Sequence, residues 1–401
     1  MNVLHKKYDF IIVGAGIVGL SFAYTLIKRY PEKKILILEK ENFIFKHQSG
    51  RNSGVIHSGV YYKPGSKKAI NCINGYKKLI RFSKTNKIDF EITGKIIIAT
   101  NKKEYSTLEK LYENGIKNGL KDLKILNKDE IIKIEPYCTN ATKALFVPQA
   151  GIINYLQLGE TLKSIIVKKK GEVHFGKEVK KITNNGKYVH VTLKSKIIKA
   201  EKVVVCSGVH SDKFLNDEII REIRIFPFKG EYYKIKDSAK HKINGLIYPV
   251  PNIKFPFLGV HLTKNIYGGI DAGPNAVLSF DKEGYKKLSF NFKDFYKIIS
   301  WKGFWILSFK FWRIGLYEIF RSFSKKKFAK SLQNLIPSLK VSDLEVSRPG
   351  IRAQAISFNG ELIDDFLINK NGGILNVINA PSPAATSCFS IADEILKNLE
   401  K

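Results

Sequence analysis

The sequence predicts a mixed α/β (α+β) protein in which a parallel-sheet domain is interleaved with a second domain built on an antiparallel sheet. Three observations predict it. Tyr8 to Glu39 reads as strand, glycine-rich turn, helix, strand and acid. Near the other end, a strand at Ile374–Ile378 passes through a small-residue loop into a helix at Cys388–Leu399. Between them, Arg224 to Ile270 breaks into short β-rich runs. At 401 residues the chain is longer than one compact core normally serves, so two joined domains are expected.

The first unit is the most informative. The apolar run Phe10–Val13 leads into Gly14-Ala15-Gly16-Ile17-Val18-Gly19, a helical pattern follows, and Ile35–Leu38 closes on Glu39. Gly14 permits a tight turn, Gly16 lets backbone approach a pyrophosphate, and Gly19 lets helix and strand pack closely. The helix N-terminus offers unpaired N–H groups and a positive dipole end to phosphates. Glu39, 20 residues beyond Gly19, suits the adenosine ribose hydroxyls, with Lys40 beside it. This is a Rossmann-like dinucleotide site.

Composition is that of a globular protein, 44% hydrophobic and 12% aromatic, with a formal net charge of +32. Lysines are spread along the whole chain, and no nucleic-acid module signature appears, so the excess reads as surface lysine and no nucleic-acid partner is expected. Cys72, Cys138, Cys206 and Cys388 show no metal-ligand spacing and read as thiols of a reducing compartment, with no metal site. The first strand begins within ten residues, leaving no room for a leader peptide, and no apolar run reaches the roughly 18 residues that a bilayer span needs. A cytoplasmic protein is expected.

Next along the chain, residues 47–66 form a loop of small and polar residues around His57, suited to lie against a flat cofactor. Ser49, Arg51, Asn52 and Ser53 are its candidate donors. Ala69, Cys72, Ile73, Tyr76, Leu79 and Ile80 predict a helix over 66–83. A strand at 96–98, helices around 108–116 and 128–137, and a return at 146–153 follow. The helix carrying Leu158 to Ile166 and the strand Lys202–Cys206 come next, the latter ending at Gly208, where backbone can approach a ligand. Residues 298–323 carry all three tryptophans among the basic residues Lys302, Lys310, Arg313 and Arg321, the pattern of an interfacial membrane anchor or of an aromatic helix pair packed on the domain. The loop 379–387 is a second loop-to-helix start, with Ser382, Ala384 and Thr386 suited to a second polar part of one cofactor. Two such sites on one chain suit an extended dinucleotide such as FAD.

The motifs HQSGRNSGVIHSGVYYKPGS at 47–66, KGEYY at 229–233, IYPVP at 247–251, LGVHLTK at 258–264, RPGIRAQ at 348–354 and NAPSPAATS at 379–387 carry a resemblance over almost the whole chain. The sequence resembles the D-amino-acid oxidase (glycine oxidase) superfamily of FAD enzymes, and within it the L-2-hydroxyglutarate oxidases and dehydrogenases. The resemblance implies an FAD-binding domain of the glutathione-reductase type at 1–85, 145–217 and 340–401, interleaved with a substrate domain at 86–144 and 218–339. It implies oxidation of L-2-hydroxyglutarate to 2-oxoglutarate on non-covalent FAD, with electrons passed to quinone or oxygen. A quinone acceptor and the 298–323 segment would place the protein peripherally on the inner membrane's cytoplasmic face.

That chemistry needs a base and a carboxylate clamp beside the flavin. His57 and His261 are the candidate bases, since imidazole titrates near neutrality. Arg352 is the candidate clamp, because its fork matches a carboxylate in two hydrogen bonds; the bland alternative is a salt bridge to Asp364. For a second carboxylate, Lys229, Tyr233, Tyr248 and Arg51 are candidates. The rival readings are oxidation of an amino acid or of glycerol 3-phosphate, and a basic membrane-binding protein with a vestigial nucleotide fold.

Overall fold

The computed structural model describes residues 2–251 and 258–401; Met1 and the 252–257 stretch of the expected substrate domain lie outside it. Five parallel strands form the core of its first sheet, in the order Glu172–His174, Ile35–Leu38, Asn2–Val13, Lys196–Val205 and Ile374–Asn379. A hairpin, Lys181–Asn184 with Val189–Thr192, adds antiparallel to the start of Lys196–Val205, and Leu367–Asn371 adds antiparallel to Ile374–Asn379. The central strands are apolar on both faces because both are covered. On one side pack the helices Ile17–Arg29, Lys67–Thr85, Tyr155–Lys168 and Cys388–Glu400, with Phe22, Leu26, Leu158, Leu162 and Ile395 among the fully buried side chains. On the other, Ile11, Leu36 and Val203 meet Val179, Val189 and Val191 from the hairpin region. The helix expected at 66–83 runs Lys67–Thr85, capped by the Ser66 hydroxyl, which accepts from the Ala69 N–H at 3.1 Å.

The second sheet has eight strands in the order Leu344–Val346, Tyr233–Ile235, Ile270–Gly273, His261–Lys264, Leu246–Pro249, Lys95–Ala99, Lys143–Val147 and Lys124–Leu126. It is antiparallel except in the middle, where Ile247–Pro249 run parallel to Ile96–Ile98. Phe328 and Leu332 of the helix Lys325–Gln333 cover one face. Leu108 and Leu111 of the helix Tyr105–Lys117 cover the other, beside Tyr248.

A small antiparallel sheet, Val277–Leu278, Ile223–Gly230 and Gly350–Ser357, completes the second unit. Strand pairing bears on two expected boundaries. Residues 344–357 were expected with the nucleotide-binding unit, but their hydrogen bonds go to the second unit, because Gly350–Ser357 pairs with Ile223–Gly230 along its full length. Likewise Lys143–Val147 pairs with Lys95–Ala99, so the return to the first unit begins after Val147.

The aromatic segment forms the helices Phe292–Ile299 and Lys302–Phe323, the second kinked at Phe311. Trp301 and Leu307 anchor it to Phe226 and Ile356 of the small sheet. Trp305, Phe309, Trp312, Phe320 and Phe323 stay exposed. Arg321, expected among the surface cations, is instead buried against Glu318, its Nη2 donating to Oε1 at 2.6 Å, and Glu318 also accepts from the Ala276 N–H. Among the described residues, no helix is long and apolar enough to cross a membrane.

Candidate functional site

A cavity of about 880 Å³ runs between the two units. Its walls include Gly14 and Gly16, Glu39 and Lys40, the 45–53 loop, Gly208, Ala380–Ala385, His57, Tyr61, Tyr62, Tyr232, Tyr248, His261 and Arg352. The two glycine-lined turns expected to share one ligand therefore open onto the same space.

At the N-terminal end the turn is built for close approach. Gly14 has φ +106°, and a Cβ there would sit 2.5 Å from the Cys206 carbonyl oxygen. A Cβ at Gly19 would meet the Gly14 carbonyl at 2.1 Å, so Gly19 packs beneath the turn and does not line the cavity. The helix that starts at Ile17 has glycine at its N-cap and no side-chain cap there. The Ser49 hydroxyl accepts from the Ile17 N–H at 2.9 Å and ties the 47–53 loop to that helix start. Glu39 accepts from the Ala15 N–H at 2.7 Å and the Glu41 N–H at 3.0 Å, which fixes its carboxylate at the cavity wall with lone pairs left for hydroxyls. Lys40 ion-pairs with Glu41 at 3.3 Å and with Glu283. The Arg51 guanidinium lies 4.0 Å over the Tyr285 ring and donates to the carbonyls of Lys46 and Pro349, so it belongs to this end and not with the substrate candidates. Asn52 and Ser53 line the wall, Asn52 donating to the Ser49 carbonyl at 2.7 Å.

The loop 379–387 closes the other end. Ser382 and Ala384 line the cavity. Thr386 is fully buried behind them, and its hydroxyl accepts from the His57 N–H at 3.0 Å and meets the Tyr155 hydroxyl at 3.2 Å. It sets the backbone that carries His57. Loop donors, a ribose acceptor and a glycine-capped helix start, all lining one cavity, fit an extended dinucleotide.

Beyond that end, His57, His261 and Arg352 come together. The strand Gly350–Ser357 carries Arg352 opposite Phe228, and Arg352 hydrogen-bonds the Tyr232 side chain. Asp364, a conceivable partner for Arg352, pairs with Lys68 at 2.6 Å. His261 stacks on Tyr248, ring centroids 4.0 Å apart, and its Nδ1 lies 2.8 Å from the Gly259 carbonyl. A carbonyl only accepts, so Nδ1 carries the proton and Nε2 is left as the acceptor. Burial first, then the charges of Lys95 and Arg352 among others, push both histidines down to about 3, so both are neutral bases.

Two of the substrate candidates fall outside the cavity. Lys229 is turned away, its Nζ donating to the Lys287 carbonyl at 2.9 Å. Tyr233 packs on Phe328, centroids 4.6 Å apart, in the core of the large sheet. Its neighbour Tyr232, just before the strand Tyr233–Ile235, lines the cavity instead. Sequence reasoning also missed Tyr61, Tyr62, Lys68 and Lys95. Lys95 heads a fully buried strand, its Nζ 4.4 Å from the Tyr61 ring centroid and 4.8 Å from that of Tyr248. Its one readable signal was a lysine at the head of a continuous apolar run, Lys95-Ile96-Ile97-Ile98.

Comparison with known proteins agrees with this geometry. The family model described as FAD dependent oxidoreductase matches residues 9–397. The chain is 45% identical to L-2-hydroxyglutarate dehydrogenase of Indibacter alkaliphilus, over 97% of this chain and 98% of that protein. It is 41% identical to the mitochondrial L-2-hydroxyglutarate dehydrogenase of Dictyostelium discoideum, covering 97% and 92%. The Escherichia coli K12 L-2-hydroxyglutarate dehydrogenase is 38% identical, covering 98% and 93%. Among solved structures, FAD-bound L-alpha-glycerophosphate oxidase from Mycoplasma pneumoniae superposes with TM-score 0.80 at 23% identity, covering 99% and 95% of the two chains. Glycine oxidase from Geobacillus kaustophilus follows with TM-score 0.75 at 15% identity, covering 98% and 95%.

Proposed function

This chain belongs to the FAD-dependent oxidoreductase family, and from that premise we propose that it oxidises L-2-hydroxyglutarate to 2-oxoglutarate. The observation that carries the reading is the clustering of Arg352, His57 and His261 in the cavity that also receives both glycine-lined turns. Gly14, Gly16, Glu39, Ser49 and the 382–384 loop would hold the FAD. When bound, the flavin supplies the hydride acceptor.

The chain's own residues do the rest. Arg352 grips the α-carboxylate in two charge-assisted hydrogen bonds and so fixes which face of the hydroxyl-bearing carbon is presented. The hydroxyl proton passes to the His57/His261 pair, whose members sit close enough for His261 to depress the pKa of His57. Only one of the two carries the proton at a time. The dianionic substrate cancels the charges of Arg352 and Lys95 and so raises the affinity of the imidazoles for that proton. Tyr232 and Tyr248 wall the site and exclude water.

Electrons leave to a quinone in this reading. Its support is the exposed aromatic face of Lys302–Phe323, flanked by the exposed cations Lys302, Lys310 and Arg313, the composition of a helix lying in an anionic membrane interface. The test is anaerobic bleaching of the purified protein's flavin by a panel of acids. L-2-hydroxyglutarate is expected to bleach it at low concentration, and bleaching by glycerol 3-phosphate or an amino acid in its place refutes the reading.

A further inference from the structure

We propose that Tyr61 and Lys95 form a second anion subsite, which takes the far carboxylate of the substrate and makes the enzyme selective for dicarboxylic 2-hydroxy acids. The inference rests on the reading of the site as a 2-hydroxy-acid oxidant and deepens it.

Three observations converge on these residues. First, Tyr61 lines the cavity, yet its hydroxyl is buried and has no hydrogen-bond partner among the described residues. A buried polar group left unpaired is costly, and in a native protein it asks for an explanation. Second, Lys95 is 2% exposed, and among the described residues no carboxylate lies within ion-pair distance of its Nζ. Its contacts are the faces of Tyr61 and Tyr248, both cavity walls. A buried ammonium held only by ring faces is far short of full compensation. Third, two cations act on the histidine pair. Arg352 acts most strongly among the cations on His261, and Lys95 on His57. Arg352 and Lys95 thus both act on the histidine pair, which suits a molecule with two carboxylates and a hydroxyl near one of them.

Lys68, the third cation that acts on His57, is already paired with Asp364 at 2.6 Å. The cation with no carboxylate partner among the described residues is Lys95; burial lowers its pKa to about 7, and a bound carboxylate would favour its charged form. It stands behind the rings and does not itself line the cavity. Tyr61 is the group that donates to the carboxylate, and Lys95 is a positioning residue that supplies the counter-charge.

The experiment compares kcat/KM for L-2-hydroxyglutarate with that for L-2-hydroxyglutaramate, the same molecule with its far carboxylate replaced by a neutral amide. Wild type, Lys95→Met and Tyr61→Phe are measured, with flavin content as the check on folding. The diacid-to-amide ratio is expected to fall about 100-fold in Lys95→Met and about 10-fold in Tyr61→Phe, mostly through KM. Should Lys95→Met fail to hold flavin, the ratio in Tyr61→Phe, which lacks a single oxygen, decides by the same criterion. Parallel loss on both substrates, with the ratio kept, overturns the proposal and makes the residues merely structural. Wild type that oxidises diacid and amide equally well also overturns it, while leaving the hydroxy-acid reading intact. Wild type that oxidises neither refutes that reading and this inference with it.

Discussion

Replacing Arg352 with alanine removes the guanidinium that faces the two histidines while leaving the dinucleotide end of the cavity untouched. The magnitude follows from the two hydrogen bonds the fork makes to a carboxylate. Each bond to a charged partner is worth about 1.5–3 kcal/mol, so losing both costs roughly 3–6 kcal/mol. Water entering the truncated pocket recovers part of this, which favours the lower half of the range. The expected loss in kcat/KM is therefore about 10²–10³-fold, at about 1.4 kcal/mol per tenfold. The assay is rapid anaerobic mixing of the holoenzyme with L-2-hydroxyglutarate, following flavin reduction against acid concentration. Flavin content is expected to match wild type, because no dinucleotide-end residue is altered. Reduction within threefold of wild type at every concentration refutes the clamp.

Three further outcomes are expected. Glu39→Ala removes the acceptor for the Ala15 and Glu41 N–H groups as well as the ribose acceptor, so FAD affinity should fall at least tenfold by flavin-fluorescence titration; unchanged affinity places the adenosine elsewhere. His57 and His261 are held down to about 3 by burial first, so between their ordinary pKa near 6.5 and about 3 the unfolded chain binds more protons than the native one. Stability should therefore be lost as pH falls through that window, and FAD-free protein whose Tm is flat from pH 7 to 4 contradicts the buried, neutral histidines. Glutamine at Lys302, Lys310 and Arg313 should weaken sedimentation with anionic vesicles about 100-fold, at roughly 1 kcal/mol per cation; wild type that never sediments refutes the membrane face. Arg321 does not belong in that set, since its buried pair with Glu318 makes it a stability residue.

Much of this was legible in the sequence, for identifiable reasons. The Gly14–Gly19 turn, Glu39 and the 379–387 loop announce themselves because backbone approach to a phosphate demands small residues at fixed spacing. Helix Lys67–Thr85 was readable from its periodicity and its serine cap. What failed was whatever depends on pairing between distant segments. Tyr232 and Tyr233 are equivalent in sequence, and only the register of Tyr233 against Ala272 and Val346 sends one to the cavity and the other to Phe328. The parallel pairing of Ile96–Ile98 with Ile247–Pro249, which brings Lys95 beside Tyr248, joins residues about 150 apart and leaves no local trace. Lys95 itself was hidden by a chain with 68 basic residues, in which one more lysine reads as surface. Arg321 was misread as a surface cation because its partner Glu318 lies three residues back on a helix whose buried stripe is narrow.

The most direct test is a single anaerobic turnover in which the holoenzyme meets one equivalent of L-2-hydroxyglutarate, with reduced flavin and 2-oxoglutarate both counted. One flavin reduced and one 2-oxoglutarate formed per acid consumed, with no reduction by the D enantiomer, is the predicted result. Flavin that stays oxidised, or that is reduced equally by both enantiomers, contradicts a cavity in which Arg352 presents one face of the acid to the ring.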